Sequence, residues 1–290
     1  MRTLAVTIPT RNRPEKLRKC LNALAKAQEH IDFKVYVCDS SDTEESRNKV
    51  ASLCNEFEFI DYHEHDGKNV AAARNFAWSV ATEDLIVNVD DDIYVEEYAI
   101  KILHEAYSKA DGTRIMAGSV AWGEKWSQPI KMRWIGYGRL PNQDEEPDFV
   151  VGAFFLYPRE LAQAFPWNEH IRTSDDRFMG ALWRGKGVRL LYEKDAKAFH
   201  DDEHNSYGVT EMKCHIYTNL FDSLIANPNV LRAFSYEFLG FLAGSKLYFR
   251  RLDSALKYIF YWTQGHILFF RDLSYLNQYI NTPVPIIKDD

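Results

Sequence analysis

The sequence has few of the features that point to a secreted, disulfide-linked or membrane-spanning protein. It contains only four cysteines, Cys20, Cys38, Cys54 and Cys214, and none of them forms a Cys-x-x-Cys pair. This pattern indicates reduced thiols rather than a disulfide framework or a zinc ribbon. The apolar run at the N-terminus is too short for a signal peptide, and no charge-free run reaches the ~18 residues of a transmembrane helix. We therefore expect a cytoplasmic protein, with a peripheral position at the inner face of a membrane as the second option.

Positive charges are outnumbered by negative ones. The chain has 35 Lys and Arg residues against 42 Asp and Glu residues, which gives a net charge of −7. A nucleic-acid-binding protein would show a basic stripe and a high pI, so we expect no nucleic-acid partner. The 290 residues, 46% of them hydrophobic, are enough for one large domain with an appendage. We place the boundary between residues 1–206 and residues 207–290.

Strand-like and helix-like segments alternate through the first two thirds of the chain. Predicted strands cover residues 4–8, 33–38, 57–62, 85–89, 114–121 and 148–157, and predicted helices cover 14–29, 43–54, a segment from 70, and 96–109. Short connections between strand and helix favour a mainly parallel sheet covered on both faces. The predicted fold class is therefore α/β, with a mainly parallel central sheet flanked by helices and a C-terminal helical extension.

Polar residues follow four of these strands at the point where each strand ends. They are Thr10 and Arg11 after the first strand, Asp39 after the second, residues 63–66 after the third and residues 90–92 after the fourth. Ligands of open α/β sheets bind beyond the carboxyl ends of the strands. The four clusters together predict a binding site at this edge.

The fourth cluster, Asp90-Asp91-Asp92, places three carboxylates directly after a buried strand. Hard cations such as Mg²⁺ and Mn²⁺ take oxygen ligands, usually one or two carboxylates plus substrate phosphates. In an extended segment Asp90 and Asp92 would point to the same side, which makes them the better pair for metal and phosphate. The alternative is a solvated acidic turn before a helix that begins near Glu96.

Two further segments carry candidate catalytic residues. Ser174-Asp175-Asp176 resembles a helix start, with Ser174 as the N-cap, and one of the two acids could serve as a general base rather than a capping charge. His200-x-x-Glu203-His204 has the spacing of an inverted zinc-peptidase motif, but its expected position at a strand exit argues against that function. His200 alone could add an imidazole to a metal shell.

The remaining segments carry no readable motif. Residues 123–147 form an irregular aromatic stretch, for which internal packing and acceptor binding are equally good interpretations. Residues 207–280 contain 17 of the 41 aromatics and have a local charge of +2, from seven Lys and Arg residues against five Asp and Glu residues. Lys246, Arg250 and Lys257 fall near one face of a helix, which is typical of membrane-surface binding. We slightly favour packing on the main domain or on a second subunit.

Five short motifs, in order, resemble those of the family 2 glycosyltransferases, which have the GT-A fold, over residues 3–204. The opening strand and loop at 6–13, the acidic turn at 39–42, the Ala-Arg-Asn helix at 73–75, the Asp-x-Asp motif at 90–92 and the acid at Asp175 are the matching positions. His200 lies where many members carry a metal-binding histidine. The family usually has Glu-Asp where this chain has Ser174-Asp175, so the first acid is missing. Nothing after His204 matches a family motif.

The resemblance implies inverting transfer of a sugar from a nucleotide-diphosphate sugar to the hydroxyl of a glycan or lipid-linked saccharide. It implies Mn²⁺ or Mg²⁺ held by Asp90, Asp92 and His200, and a general base at Asp175, with Asp176 as the other option. The donor-binding residues that it implies are Pro9, Thr10, Arg11, Arg13, Asp39, Asn69, Arg74, Asp90 and Asp91. Two other classes stay open: a sugar-nucleotide pyrophosphorylase, and a non-catalytic protein that docks on a membrane or subunit.

Overall fold

The first half of the chain alternates strand and helix as the sequence predicts. The computed structural model describes residues 2–67, 69–133, 138–142, 145–150, 152–201, 209–249 and 252–287. The first elements are β1 (Leu4–Thr10), α1 (Pro14–Gln28), β2 (Lys34–Asp39), α2 (Glu44–Cys54), β3 (Ile60–Glu64), α3 (Val70–Val80) and β4 (Leu85–Val89). Pro14 begins α1, where a missing N–H costs nothing, and the side chains of Thr43 and Asn69 cap α2 and α3.

The second half adds shorter strands and then becomes helical. Its first elements are β5 (Ile93–Val95), α4 (Ala99–Lys109), β6 (Arg114–Trp122), β7 (Lys125–Trp126), β8 (Lys131–Met132), β9 (Gly138–Arg139), β10 (Phe154–Pro158), α5 (Arg159–Ala164), α6 (Asp175–Gly185) and β11 (Arg189–His200). After a 3₁₀ turn (Val209–Glu211) come α7 (Met212–Leu220), a π-helical turn (Phe221–Ala226), α8 (Val230–Tyr248), α9 (Leu252–Arg271) and α10 (Leu273–Asn281).

The central sheet is mixed, with a parallel first half. Within the described residues nine strands form it, in the order β3-β2-β1-β4-β10-β6-β11-β5, with β7 paired to β6. β1, β2, β3 and β4 are parallel to one another, and β11 is parallel to β6. β10 runs antiparallel between β4 and β6. The α/β class is confirmed, and the parallel strands place the carboxyl ends of β1, β2 and β4 at one edge.

Helices cover both faces of the sheet. On one face α1 presents Leu17, Cys20, Leu21 and Leu24, which are fully buried in a core with residues of β1, β2 and β4. On the other face α3, α5 and α6 pack around Trp78, Phe155 and other aromatics. All four cysteines are buried free thiols.

Several predicted boundaries are wrong by a few residues. β3 begins at Ile60 instead of residue 57, and β10 at Phe154 instead of residue 148. α4 begins at Ala99 because the short strand β5, which the sequence analysis did not predict, pairs with β11 directly before it. The stretch 123–147 contributes three two-residue strands. Glu203 and His204 lie outside the described residues.

The C-terminal helices share a core with the sheet. The buried cluster that contains Trp78 and Phe155 also includes residues of the C-terminal region: Ile216 and Tyr217 of α7, Phe221 of the turn after it, Phe269 and Leu276. Packing against the main domain, the interpretation that the sequence slightly favoured, is therefore present. No helix among the described residues is both long enough and apolar enough to cross a membrane.

Candidate active site

A cavity of about 400 Å³ opens at the carboxyl edge of β1 and β4. Ligand sites typically have volumes of ~300–1,000 Å³. Nine of the residues predicted from the sequence line this cavity: Pro9, Thr10, Arg11, Arg13, Asn69, Asp90, Asp91, Asp92 and His200. The β1 loop, the β4 loop, the start of α3 and the end of β11 thus converge on one space.

The aspartate triplet forms a turn. The Ile93 N–H donates to the carbonyl of Asp90 over 3.0 Å, so the extended backbone assumed from the sequence is absent. As a result, Asp91 and Asp92 both approach Arg13, at 3.4 and 3.0 Å, while Asp90 turns towards α3. Burial raises the pKa of Asp91 to about 6, against the opposing effect of the hydrogen bond from the Thr10 hydroxyl. The pairing of Asp90 with Asp92 on one side is therefore wrong for this conformation.

Positive and aromatic side chains surround the buried carboxylate of Asp92. Arg13 lies 3.0 Å away and the Lys16 amine 3.8 Å away, and His200 Nε2 lies 3.6 Å from Asp92 Oδ1. The Trp122 ring stacks on His200 with 5.3 Å between ring centroids, which orients the imidazole. Because β6 pairs Trp122 with His200 in register, the sheet itself sets this stacking.

The residues at Asp92 fit a divalent cation only in part. Two ligands of one Mg²⁺ ion, each about 2.1 Å from it, are at most about 4.2 Å apart. The 3.6 Å between Asp92 and His200 satisfies this limit. Across the described ranges, no three His, Cys, Asp or Glu residues come close enough together to form a metal site. The pair suits an ion that takes its remaining ligands from water and substrate phosphates, the usual arrangement for Mg²⁺.

Arg74 joins the cavity to the start of α6. Its guanidinium donates to both carboxylate oxygens of Asp90, at 2.9 and 3.0 Å, and to Asp175 Oδ2 at 2.8 Å. It also lies over the Trp167 ring, 4.5 Å from the centroid. Burial works to lower the pKa of Arg74, but Asp90 and Asp175 outweigh it and raise the pKa further. One buried cation thus fixes the distance between two carboxylates from different elements.

The two candidate bases differ in environment. Asp175 is paired with Arg74 and keeps 18% of its side chain exposed. Asp176 lies against Gly152, where a β-carbon would come within 3.3 Å of it. Burial, followed by the neighbouring charge of Asp175, raises the pKa of Asp176 to about 7. The missing side chain at Gly152 therefore leaves room for Asp176 to pack against this backbone.

Ser174 does not cap α6 through its side chain, contrary to the prediction. Its φ of 60° is left-handed, and its hydroxyl pairs with Nδ1 of His215 at 2.9 Å instead of with the helix N–H groups. Burial, with help from Arg177, lowers the pKa of His215 to about 4, so the imidazole is neutral at pH 7. A residue of α7 therefore holds the strained backbone directly before Asp175.

Asp39 does not line the cavity. It is fully buried, and its carboxylate accepts hydrogen bonds from the Ser41 hydroxyl at 2.5 Å and the Tyr62 hydroxyl at 3.1 Å. These contacts satisfy the carboxylate of an acid that is buried at the end of β2. Its predicted donor-binding role stays a prediction, for which this conformation offers it no open position.

A second cavity of about 730 Å³ adjoins the first and shares Arg11, Ser40, Asn69 and Val70 with it. Arg47 and Arg172 lie on its wall, and the sequence analysis selected neither of them. Lys16, Trp122 and His215 were missed as well. Lys16 had a usable signal, because it lies in the first helical turn after the predicted loop; His215 had none, since only the tertiary packing of α7 brings it to Ser174.

Comparison with known proteins decides the family. The family model described as "Glycosyl transferase family 2" matches residues 5–165, more than half of the chain. The chain belongs to this family. It is therefore a glycosyltransferase, and family membership favours this activity over the pyrophosphorylase and the non-catalytic alternatives. No curated protein matches the sequence of the enzyme.

Solved structures similar to the enzyme have the GT-A fold. TarS 1–349 of S. aureus in complex with UDP-GlcNAc is 14% identical, with a TM-score of 0.60, over 96% of this chain and 89% of that chain. The mannosyltransferase PcManGT of Pyrobaculum calidifontis, in complex with GDP-Man and Mn²⁺, is 17% identical, with a TM-score of 0.58, over 96% and 86%. At these identities the likeness establishes the fold of the glycosyltransferase.

Proposed function

We propose that this glycosyltransferase transfers a sugar, with inversion, from a nucleotide-diphosphate sugar to an acceptor hydroxyl of a glycan or a lipid-linked saccharide. The observation that supports this most is the convergence of β1, β4, α3 and β11 on one cavity that contains Arg11, Arg13, Asp92 and His200. The similar structures with UDP-GlcNAc and with GDP-Man are consistent with a donor of this class.

The donor would lie across the two adjoining cavities. Arg11 and Arg13 lie on the β1 loop, and guanidinium groups bind phosphate oxygens with two parallel hydrogen bonds. The diphosphate then occupies the cavity at Asp92, and the nucleoside extends over Asn69 and Ser40 into the cavity beside Arg47 and Arg172. The cations at this edge stabilise the negative charge that grows on the leaving diphosphate.

Asp92 and His200 are the residues that would hold Mn²⁺ or Mg²⁺. A cation held there would supply Lewis-acid stabilisation of the leaving diphosphate. Arg13 lies 3.0 Å from Asp92 and supplies positive charge at this carboxylate.

Asp175 is our choice for the general base. It would take the proton of the acceptor hydroxyl as that oxygen forms its bond to the anomeric carbon and the bond from this carbon to the phosphate oxygen breaks. Arg74 holds Asp175 at a fixed distance from Asp90, and so from the donor cavity. Asp176, whose pKa is raised to about 7, is the alternative. A base whose pKa lies near the working pH is well matched to proton transfer.

The decisive experiment is calorimetry with UDP, GDP and dTDP in the presence of Mn²⁺, with and without a chelator. We expect one nucleotide to bind with metal-dependent affinity, and Asp92→Ala to lose that dependence. Lys194→Glu, at an exposed position on β11, is the control and should bind as the wild type does. Equal affinity of wild type and Asp92→Ala, or affinity unaffected by chelator, would refute the metal role. Binding of none of the three nucleotides would refute the proposed donor class.

A further inference from the structure

The hairpin of α8 and α9 exposes an unusual amount of apolar surface. Twenty large hydrophobic side chains are exposed among the described residues, and 13 of them lie on α8, its C-cap or α9. Phe234 and Phe260 are 66% and 56% exposed, and Leu252 is 77% exposed. Contiguous apolar patches of this kind usually mark a surface that contacts a protein or a membrane.

The exposed side chains follow the helical repeat and avoid the contact between the two helices. Phe241, Tyr258 and Trp262 fill that contact, with the Tyr258 hydroxyl donating to the carbonyl of Phe241. On the other side, Gly265 and Phe269 of α9 lie against the α7 segment. The outer positions form one stripe on each helix: Leu231, Phe234, Phe238 and Leu242 on α8, and Leu252, Leu256, Phe260, Ile267 and Phe270 on α9. We call these two stripes the outer hairpin face.

The charge of this segment is opposite to that of the rest of the protein. Residues 230–271 contain six Lys and Arg residues and two Asp and Glu residues, a net charge of +4, which leaves −11 for the remainder of the chain of net −7. One of the two acids, Glu237, pairs with His266 at 2.9 Å between the helices. Lys246, Lys257 and Arg271 are exposed. Apolar area and positive charge therefore coincide on the hairpin.

We propose that the outer hairpin face docks on an anionic lipid surface. A helix with an apolar face and flanking Lys and Arg residues binds in the headgroup region of a membrane. Burial of the apolar side chains and attraction of the cations to anionic lipids both contribute to this binding. A second copy of this chain is a poorer partner, because a symmetric dimer through this face would bring two segments of charge +4 together. The negative charge of the rest of the protein keeps the sheet domain away from the membrane and orients the hairpin towards it.

The test is sedimentation of the full-length protein with phosphatidylcholine vesicles, with and without phosphatidylglycerol. We expect pelleting that requires phosphatidylglycerol and weakens with salt. Each Lys near an anionic surface contributes roughly fivefold to partitioning, so Lys246→Glu/Lys257→Glu should bind at least about 30-fold more weakly. Phe234→Ser/Phe260→Ser should also lose binding, since it removes two exposed rings without touching the core.

Matched controls separate docking from general surface effects. Leu140→Ser removes an exposed leucine outside the hairpin, and Lys49→Glu/Lys194→Glu reverses two exposed charges elsewhere; both should pellet as the wild type does. Circular dichroism melting of each variant establishes that it is folded. No pelleting, equal pelleting with neutral vesicles, or equal loss in the controls overturns the proposal. Sedimentation velocity showing a dimer that Phe234→Ser/Phe260→Ser dissociates, without vesicle binding, would assign the face to a second copy.

Discussion

The edge of the sheet and the C-terminal hairpin are built on opposite principles. At the edge, charged side chains are brought together, and each finds a partner in the protein: Arg13 with Asp92, Arg74 with Asp90 and Asp175. On the hairpin, apolar side chains are left facing outwards, at spacings that would suit a core. The first region is organised for a small charged ligand and the second for a large surface. The difference teaches that short sequence motifs indicate the reaction that an enzyme catalyses. The pattern of exposed apolar side chains indicates the kind of surface on which the enzyme docks.

If the sugar transfer takes place at the edge of the sheet, the largest loss of activity should come from a substitution there. Asp175→Asn should reduce kcat about 10²–10⁴-fold, because a general base has been removed, while the donor nucleotide still binds with a Kd that changes far less than kcat does. Steady-state kinetics and calorimetry measure the two quantities. The matched variant is Asp176→Asn: if it loses turnover and Asp175→Asn does not, the roles of the two acids are exchanged.

The second test concerns the shared cation. Arg74→Met should destabilise the fold by about 3–5 kcal/mol, since removing one partner of a buried ion pair leaves uncompensated charge at Asp90 and Asp175. Urea denaturation measures this loss. Arg18→Met, which breaks a bidentate pair with Glu56 on the exposed side of α1, is the control and should cost far less, because solvent screens an exposed pair. Similar losses in both variants would mean that the Arg74 pairs are no stronger than surface pairs.

The third test uses pH. The folded protein holds the pKa of Asp176 at about 7, above its ordinary value, so the folded state binds a proton that the unfolded state has lost between about pH 4 and 7. This contribution to stability is present at low pH and disappears as the pH rises through 7. Asp176→Asn, which stays neutral, should therefore be more stable than the wild type at pH 8, by of order 2 kcal/mol, with a smaller difference at pH 5. Melting curves at both pH values measure it, and a gain that does not change with pH would contradict the assignment.

The smallest test crosses the boundary between the two regions. His215→Ala removes the partner of the Ser174 hydroxyl and should lower kcat about tenfold at an unchanged donor Kd, because the backbone before Asp175 is less well held. Tyr275→Phe, which removes a hydroxyl pair with Tyr279 in α10, is the control from the same region. If both variants keep full kcat, the C-terminal helices do not position the residues of the active site. The sheet edge and the C-terminal helices would then have separate roles.

The local sequence pattern was enough to predict which residues lie at the carboxyl edge of the sheet. Strands and helices that alternate with short loops allow only a few topologies. Pro9 to Arg13, the aspartate triplet and His200 could all be placed at one edge because parallel strands end together. The turn at residues 90–92 could not be predicted, since Arg13 and Arg74 compete for the three carboxylates and decide which way each points. The Tyr62 bond to Asp39 and the His215 bond to Ser174 join residues 23 and 41 positions apart, and no local spacing reveals such contacts.

The position of Arg74 has a consequence for the order of events in catalysis. One guanidinium donates from Nη2 to Asp90, an acid at the donor cavity, and from Nη1 to Asp175, the acid chosen as base. If donor binding changes the ion pair between Arg74 and Asp90, it also changes the electrostatic potential at Asp175. If an acceptor binds to Asp175, it changes the ion pair at Asp90 in the same way. We therefore expect the two substrates to be energetically coupled, so that saturation with one changes the apparent affinity for the other.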